Sequence, residues 1–207
     1  MSTILTIDFD LIMAPSIQLY NDIVGDDYGI NKVIQEYPLL EYTLTADFFI
    51  YEFLTRGLIN LFKKIPAENV HFISDHHNII PIVKDLEKFE LINIDHHHDI
   101  AYGNIRATSK IHKVDCGNWV KYLSDLNKIE KYIWICNKNS VMPSAGLSKP
   151  YLYENLEIQT IDFNKFENID KLIICNSPHW VPPNIQALFM SWVGIAEEFY
   201  GKNYDIV

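Results

Sequence analysis

The stretch Leu91–Ile100, LINIDHHHDI, places five residues that are able to bind a metal next to one another. Asp95 and Asp99 bracket three histidines and follow a short apolar run. On an extended chain, Asp95, His97 and Asp99 point to one side, because side chains alternate along a strand. Acids packed so closely repel one another, and a cation relieves that repulsion. The mixture of carboxylates and imidazole suits Mn²⁺ or Zn²⁺, and the excess of carboxylates favours Mn²⁺.

Two further segments carry similar residues directly after apolar runs. Asp8 and Asp10 lie in ILTIDFD, and His76 follows Asp75 in VHFISDHH. Taken alone, an acid pair such as Asp8 and Asp10 more often forms a turn or a helix cap. A lone histidine such as His76 is about as often a metal ligand as it is not. Together with Asp95, His97 and Asp99 these residues could bind two divalent ions. Such ions lie ~3.5–4 Å apart and can generate hydroxide from bridging water near neutral pH.

Strand-like and helix-like segments alternate along the chain, and these elements must position the candidate ligands. The pattern predicts one α/β domain over residues 1–207, a three-layer sandwich with a mostly parallel sheet. Ligands of such folds bind at the carboxyl ends of the strands, so three strand ends should meet on one rim. The predicted strands are Ile4–Asp8, Val70–Ser74, Leu91–Asp95, Tyr132–Cys136, Ile158–Ile161 and Lys171–Cys175. The predicted helices are Ala46–Lys64, Asn78–Phe89, Asn118–Leu126 and Pro183–Tyr200, and long loops are expected at Gly25–Tyr42 and Asn137–Glu157.

The composition narrows the class of protein. The chain has 207 residues, 48% of them hydrophobic, which is typical of a globular domain. A formal net charge of -10 disfavours nucleic acid as a partner. The three cysteines are scattered and form no CxxC pair, so a reducing cytoplasm is expected. The N-terminus lacks the basic region of a signal peptide, and no membrane span is predicted. The sequence does not indicate an oligomeric state.

The three metal-binding segments resemble those of the arginase-like (ureohydrolase) superfamily. In that family the manganese ligands come from the histidine of a D-H pair, from a D-x-H-x-D run and from a D-x-D run, each at a strand end. In the common arginases the D-x-D run comes last, whereas here it comes first. The resemblance therefore implies an arginase/deacetylase-like fold with a rearranged motif order. The implied metal ligands are Asp8, Asp10, His76, Asp95, His97 and Asp99.

A narrower resemblance is to the peptide arginases of ribosomal peptide maturation. It covers most of the chain, and three of its segments, CGNWVKYL, KYIWICN and LIICNSPHWVPPNIQALF, play no part in the metal argument. This resemblance implies a cofactor of two Mn²⁺ ions and an arginine-containing precursor peptide as partner. The implied reaction converts arginine residues of that peptide to ornithine and releases urea. The resemblance leaves open whether free arginine is also a substrate.

The resemblance also implies roles for particular residues. Asp99 would both ligate metal and orient the attacking hydroxide. His112 would give a proton to the leaving amine, with His98 as the other contender. Asn118 and Trp180 are candidates for the substrate pocket, although Asn118 is equally suited to capping a helix.

The chain departs from the arginases after a later strand, where those enzymes carry a carboxylate that holds the substrate. The comparable segment here, LIICNSPHW, has no acid. Either another acid serves in its place, or neutral groups hold the guanidinium.

Three other functions compete with this interpretation. A DHH-type manganese phosphoesterase shares the IDHH motif, but its first motif begins with a histidine that ILTIDFD lacks, and it usually has a second domain. The segment DFDLI resembles the nucleophile strand of haloacid-dehalogenase-type phosphatases, but this match is weaker. A binding protein that keeps the fold without the chemistry is disfavoured by the full set of ligands.

Overall fold

A parallel six-stranded sheet forms the centre of the protein, in the strand order β2-β6-β1-β3-β4-β5. The computed structural model describes residues 1–13, 46–100, 113–138, 140 and 152–207. All five strand pairings are parallel. The strands are β1 Ser2–Asp8, β2 Val70–Ile73, β3 Phe89–Ile94, β4 Ile129–Cys136, β5 Leu152–Glu157 and β6 Lys171–Cys175.

Four α-helices are present in the described part of the chain: α1 Phe48–Phe62, α2 Ile79–Val83, α3 Trp119–Asp125 and α4 Pro183–Tyr200. Helix α1 begins after Asp47, whose carboxylate accepts the N–H groups of Phe49 and Ile50 as an N-cap. Helix α4 has Pro183 in its first turn and ends at Gly201, which adopts a left-handed φ of 66°. Short 3₁₀ turns span Phe9–Ile12, Ala67–Asn69, His76–Asn78, Ile158–Thr160 and Phe163–Lys165.

Hydrophobic side chains cover both faces of the sheet. Leu5 and Ile7 of β1 belong to the core that includes residues of α1 and α4. Ile4 of the same strand belongs to the opposite core, which includes residues of α2 and α3. Residues of β1 are therefore buried on opposite faces, which explains why the adjacent residues Ile4 and Leu5 are both apolar. The predicted α/β architecture with a parallel sheet is confirmed.

The order of the strands predicts a ligand site beside β1. The strands that follow β1 in the chain lie on both sides of it, with β3 and β6 as its direct neighbours and β2 beyond β6. In parallel sheets a ligand crevice opens where successive connections run in opposite directions. Among the described residues, no helix combines the length and apolar character that a membrane crossing requires.

The structure corrects two predicted elements. The strand expected at Ile158–Ile161 is wrong, because Ile158–Thr160 form a 3₁₀ turn and the strand is Leu152–Glu157. The long loop predicted at Asn137–Glu157 therefore contains a strand, although glutamate and asparagine are poor strand formers. It pairs only with β4 in the described structure, and an edge position tolerates exposed charges such as Glu154.

The helix expected at Asn78–Phe89 is also much shorter. Only Ile79–Val83 is helical, because a tight turn from Leu86 N–H to Val83 C=O (3.1 Å) ends it and Phe89 already begins β3. The long loop predicted at Gly25–Tyr42 lies outside the described residues.

Candidate metal centre

Three strand ends bring the candidate ligands together. Asp8 is the last residue of β1, and Asp95 directly follows β3. Strands β1 and β3 pair in parallel with Ile7 opposite Ile94, so the two aspartates lie side by side. His76 follows β2 and reaches the same point across the end of β6. The convergence expected from the sequence is observed.

A local turn shapes each acidic segment. The Oδ1 atom of Asp8 accepts the N–H of Asp10 at 3.0 Å, and Oδ1 of Asp95 accepts the N–H of His97 at 2.8 Å. An aspartate that bonds the backbone two residues further on closes an Asx turn. In both aspartates the other oxygen, Oδ2, faces His76. The same backbone rule therefore presents Asp8 and Asp95 in the same way.

The first group of candidate ligands surrounds one nitrogen of His76. Its Nδ1 lies 3.0 Å from Asp8 Oδ2, 3.2 Å from Asp95 Oδ2 and 3.0 Å from Asp99 Oδ2. An imidazole nitrogen carries at most one hydrogen, so it cannot satisfy three carboxylates. All four residues are buried. A cation among these atoms would satisfy all three acids, and the donor set therefore fits a divalent metal ion.

The second group adjoins the first. His97 Nδ1 lies 2.9 Å from Asp10 Oδ2, and the ligand atoms of Asp10, Asp95 and His97 lie within 4.8 Å of one another. Asp10 Oδ1 is buried without a hydrogen bond in the described structure, which is where a metal would be expected to bind. Because Asp95 belongs to both groups, the residues fit two neighbouring ions that share one carboxylate.

The backbone at Asp99 differs from the extended segment expected from the D-x-H-x-D spacing. Strand β3 ends at Ile94, and Asp99 adopts a φ of 51°, in the left-handed region. As a result Asp99 turns back to His76, whereas His97 points to Asp10. Trp119 Nε1–H donates to Asp99 Oδ2 at 2.5 Å and fixes this orientation. Left-handed residues other than glycine are concentrated at functional sites.

Burial and mutual repulsion disturb the acids of the cluster. Burial, followed by the charges of Asp99 and Asp8, raises the pKa of Asp95 to about 7. Burial, followed by the charge of Asp8, raises the pKa of Asp10 to about 6. The pKa of Asp99 is also raised, chiefly by burial. The cluster thus carries more negative charge than its two histidines neutralise, and it needs either protons or a cation.

The two histidines take up protons in the absence of a metal. Burial opposes the charge of His97, but the adjacent Asp10 outweighs it and raises the pKa of His97 to about 10. Burial also opposes protonation of His76, yet the charges of Cys175 and Asp8 raise its pKa well above the usual value. For Asp8 burial acts upward, but the charge of His76 outweighs it and lowers the pKa of Asp8. A metal must therefore compete with protons at this site.

Three residues that hydrogen-bond the candidate ligands were not predicted from the sequence. Thr6 Oγ1 and His76 Nε2 are hydrogen-bonded at 2.9 Å, and Asn93 Nδ2 donates to Asp95 Oδ2 at 3.1 Å. Thr6 and Asn93 each lie two residues before the aspartate that ends or follows their strand, and hence on the same face. A polar residue two positions before an acid at the end of a strand is the signal that could have identified them.

The third supporting residue, Ser177, follows β6 and adopts a left-handed φ of 48°. Its hydroxyl donates to Asp8 Oδ2 at 2.6 Å. Cys175, at the end of β6, lies with Asp8 and His76 in a further group whose ligand atoms are all within 4.8 Å. Nothing in the sequence connects Ser177 with Asp8, because only the pairing of β6 with β1 brings them together.

The two predicted pocket residues, Trp180 and Asn118, lie in different surroundings. The ring of the half-buried Trp180 lies 5.7 Å from that of His97, at the edge of the cluster. Asn118 is buried, and its side chain holds the loop before α3, since its Oδ1 accepts the N–H of Asp115 and its Nδ2 donates to the carbonyl of Lys113. It makes no capping hydrogen bond to the start of α3, so the side chain secures this loop rather than capping the helix.

The two histidines considered as proton donors lie in different parts of the chain. His112 lies outside the described residues. His98 is buried, and its Nδ1 accepts the N–H of Ile100 at 3.1 Å. Burial, followed by the charge of His97, lowers the pKa of His98 to about 4. A histidine held in the neutral form is poorly suited to donate a proton near neutral pH.

A thiol lies beside Trp180. Burial, followed by the charges of Asp99, Asp115 and Asp75, raises the pKa of Cys116 to about 12. The side chain of Trp180 acts in the opposite direction on this pKa, so the thiol and the indole are neighbours. The charges of three carboxylates therefore reach this thiol at the edge of the cluster.

No family model, curated protein or solved structure matches this chain. The candidate site therefore rests on its own geometry.

Proposed function

We propose that this protein is a dinuclear manganese hydrolase that converts arginine residues of a ribosomally made precursor peptide to ornithine and releases urea. The observation that supports it best is the joined ligand set. Three carboxylate oxygens face the Nδ1 of His76, and Asp95 links this group to His97 and Asp10. The resemblance of the three motifs to those of peptide arginases supplies the substrate.

The two proposed ions would be held by the groups that the geometry defines. His76, Asp8, Asp95 and Asp99 would hold one ion, and His97, Asp10 and Asp95 the other. When bound, such a pair supplies a nucleophilic hydroxide at neutral pH and a Lewis acid. Manganese suits the excess of hard oxygen ligands. We place the reaction in the cytoplasm, in keeping with the three free cysteines.

The reaction adds one water across the bond between the guanidinium carbon and the side-chain nitrogen of the arginine. Oxygen attacks the carbon, that C–N bond breaks, and the products are urea and the protonated amine of ornithine. The protein must hold the arginine with its guanidinium carbon facing the cluster and exclude bulk water. Asp99, held by Trp119, would accept a hydrogen bond from the attacking group.

The leaving nitrogen must gain a proton before it can depart as an amine. We assign this proton to His112, because the neutral and buried His98 is a poor donor. Replacing His112 with alanine should lower kcat by about 100-fold or more while leaving the bound metal unchanged.

The test is mass spectrometry of a precursor peptide after co-expression with the protein in Mn²⁺-supplemented cells. Each modified arginine should lose the mass of CH₂N₂, and an equal amount of urea should form with purified components. His97→Ala and Asp99→Ala should abolish both signals. Glu198→Gln, an exposed change on α4 outside the cluster, serves as the control variant. Full conversion by either cluster variant would overturn the ligand assignment.

The same protein should be offered phosphate substrates. A DHH-type phosphoesterase would hydrolyse a dinucleotide or a phosphate ester in the presence of Mn²⁺ and leave the arginine peptide unchanged. That result would replace the proposed function while keeping the metal centre.

A further inference from the structure

The candidate metal centre has one side that is open to solvent among the described residues. The side chains of Asp8, Asp95, Asp99 and Asp10 are at most 5% exposed, whereas that of His97 is 15% exposed. Among the described ligands, His97 is therefore the one that a substrate can reach most directly. A partly exposed side chain beside His97 is in a position to select the substrate.

That residue is Trp180, and its position is well fixed. Its ring is tilted by 52° to the ring of His97, with 5.7 Å between the centroids. Its backbone N–H donates to the carbonyl of Ser177 at 2.9 Å, within the turn that follows β6. The indole also lies near the thiol of Cys116. A half-buried indole whose backbone is fixed in a turn offers an ordered surface for binding.

Three carboxylates influence the environment of this ring and outnumber the one protonated imidazole beside it, that of His97. The carboxylates of Asp75, Asp99 and Asp115 all act on the neighbouring thiol of Cys116. Asp99 is a candidate metal ligand, but Asp75 is only half-buried and Asp115 is exposed. An aromatic face beside exposed carboxylates attracts an organic cation more than a neutral group.

Among organic cations, a guanidinium fits this surface better than an ammonium does. It is planar, weakly hydrated and able to stack on an aromatic face, whereas an ammonium is compact and strongly hydrated. Arginine and ornithine, the substrate and product of the proposed function, differ in this respect. An indole at the entrance would hold the substrate and release the product.

We infer that Trp180 is the residue that selects an arginine side chain, and that the exposed Asp115 supplies the negative charge for the guanidinium. This inference rests on the proposed function. It also accounts for the segment after β6, which has no acid to hold the substrate and in which the hydroxyl of Ser177 bonds Asp8. Within that segment Trp180 would take the place of the missing acid, together with Asp115 from the loop before α3.

The test measures binding and turnover separately. Three peptides of one sequence would carry arginine, citrulline or lysine at the same position and be titrated into the full-length, metal-free protein by calorimetry. Citrulline keeps the shape of arginine without the charge. The variants are Trp180→Leu, which keeps an apolar side chain, Trp180→Phe, which keeps a ring, and Asp115→Asn. Glu198→Gln is the control for loss of an exposed acid.

Trp180→Leu should weaken arginine-peptide binding by about tenfold and citrulline-peptide binding by less than twofold. Trp180→Phe should retain most of the binding. Asp115→Asn should weaken only the arginine peptide, by about two- to fivefold, and Glu198→Gln should change nothing. Equal weakening of the arginine and citrulline peptides by Trp180→Leu, or unchanged binding by that variant, would refute the inference. So would a wild-type protein that binds the three peptides equally or not at all.

Turnover separates this inference from the proposed function. In Mn²⁺, Trp180→Leu should raise KM for the arginine peptide by about tenfold and change kcat less. Binding that depends on Trp180 without any release of urea would remove the proposed reaction and leave the cation site. Urea release with an unchanged KM in Trp180→Leu would leave the reaction and remove the role of Trp180. Thermal unfolding of each variant checks that the fold is intact.

Discussion

Asp95 differs from the other acids of the cluster because it belongs to both groups of candidate ligands. Replacing Asp95 with asparagine removes the shared charge, so we expect both Mn²⁺ ions to be lost. Replacing Asp10 with asparagine removes a ligand of the second group only, so one ion should be retained. Metal analysis after dialysis against a fixed concentration of Mn²⁺ measures the ratio of metal to protein.

The matched control for this comparison is Glu198→Gln, which lies on the exposed surface of α4 and should bind as much metal as the wild type. Equal metal content in Asp95→Asn and Asp10→Asn would contradict the shared role of Asp95.

Protons and metal ions compete for the same side chains, which makes metal binding dependent on pH. In the metal-free protein the pKa of His97 is about 10, and that of Asp95 is about 7. Both pKa values are raised, so these groups hold protons at pH values where their unperturbed counterparts would have lost them. Metal binding must release these protons, and Mn²⁺ affinity should therefore rise steadily from pH 6 to pH 9.

Calorimetry in two buffers with different ionisation enthalpies gives the number of protons released at pH 7. A Mn²⁺ affinity that stays constant over this range would show that the histidines are not ligands.

At the scale of elements, β1 supplies both a ligand and the residue that orients another ligand. Thr6 Oγ1 lies 2.9 Å from His76 Nε2, on the side of the ring away from the three carboxylates. Hydrogen bonds of this kind fix the orientation of a metal-binding histidine.

Thr6→Val keeps the shape of the side chain but removes the bond, so Mn²⁺ affinity should fall by about 10- to 100-fold. Thr3→Val, in the half-buried first part of the same strand, is the matched control and should leave the affinity unchanged. An equal effect of both substitutions would assign the loss to the strand rather than to His76.

The packing of α1 against the turn Phe163–Lys165 depends on a glycine. A Cβ atom added at Gly57 would lie 2.5 Å from the ring of Phe163, which is too close for any real contact. Gly57→Ala should therefore lower the free energy of unfolding by about 1–3 kcal/mol. Gly194→Ala in α4 meets nothing within 4 Å and should instead raise it by about 0.5–1 kcal/mol, through helix propensity alone. Chemical denaturation of the two variants measures both changes, and a shift in the same direction would contradict this explanation.

The sequence predicted those elements that local pattern determines. Lys171–Cys175 and Pro183–Tyr200 have the predicted bounds, and the three strand ends with their acids converge as expected. Strand β5 was missed because its polar side chains are tolerated only at the edge of a sheet, and the order of the strands cannot be read from local pattern. The contact of Ser177 with Asp8 was missed for the same reason, since the two residues are 169 positions apart.

The geometry within the D-x-H-x-D segment could not be predicted from its spacing. The spacing suggested three side chains that share one direction, but the Asx turn at Asp95 and the left-handed backbone at Asp99 divide them between two groups. Spacing thus identified the candidate ligands, whereas the turn determines which ligands act together.

For the whole molecule, the position of β1 between β3 and β6 concentrates negative charge at one end of the sheet. In the metal-free protein, His76 and His97 compensate only part of this charge. Burial and the charge of Asp8 raise the pKa of Asp10 to about 6. The folded state therefore binds protons more tightly than the unfolded state does, and its stability should fall as the pH rises from about 4 to above 6. The raised pKa of His97, about 10, extends this fall to higher pH as its proton is lost.

Manganese should reverse this loss of stability. A ligand present at 100 times its Kd stabilises the folded state by about 2.7 kcal/mol, so Mn²⁺ should raise the Tm and EDTA should lower it. The gain in Tm should be larger at pH 8 than at pH 6, because fewer protons then compete for the ligands. Asp10→Asn removes a buried charge, so this variant should be more stable than the wild type without metal at pH 8 and should gain less from Mn²⁺. Thermal unfolding of both proteins, with EDTA and with Mn²⁺ at each pH, gives the comparison. If the wild type gained no stability from Mn²⁺, or if the two metal-free proteins unfolded at the same temperature at pH 8, the charge of this cluster would have to be balanced in another way.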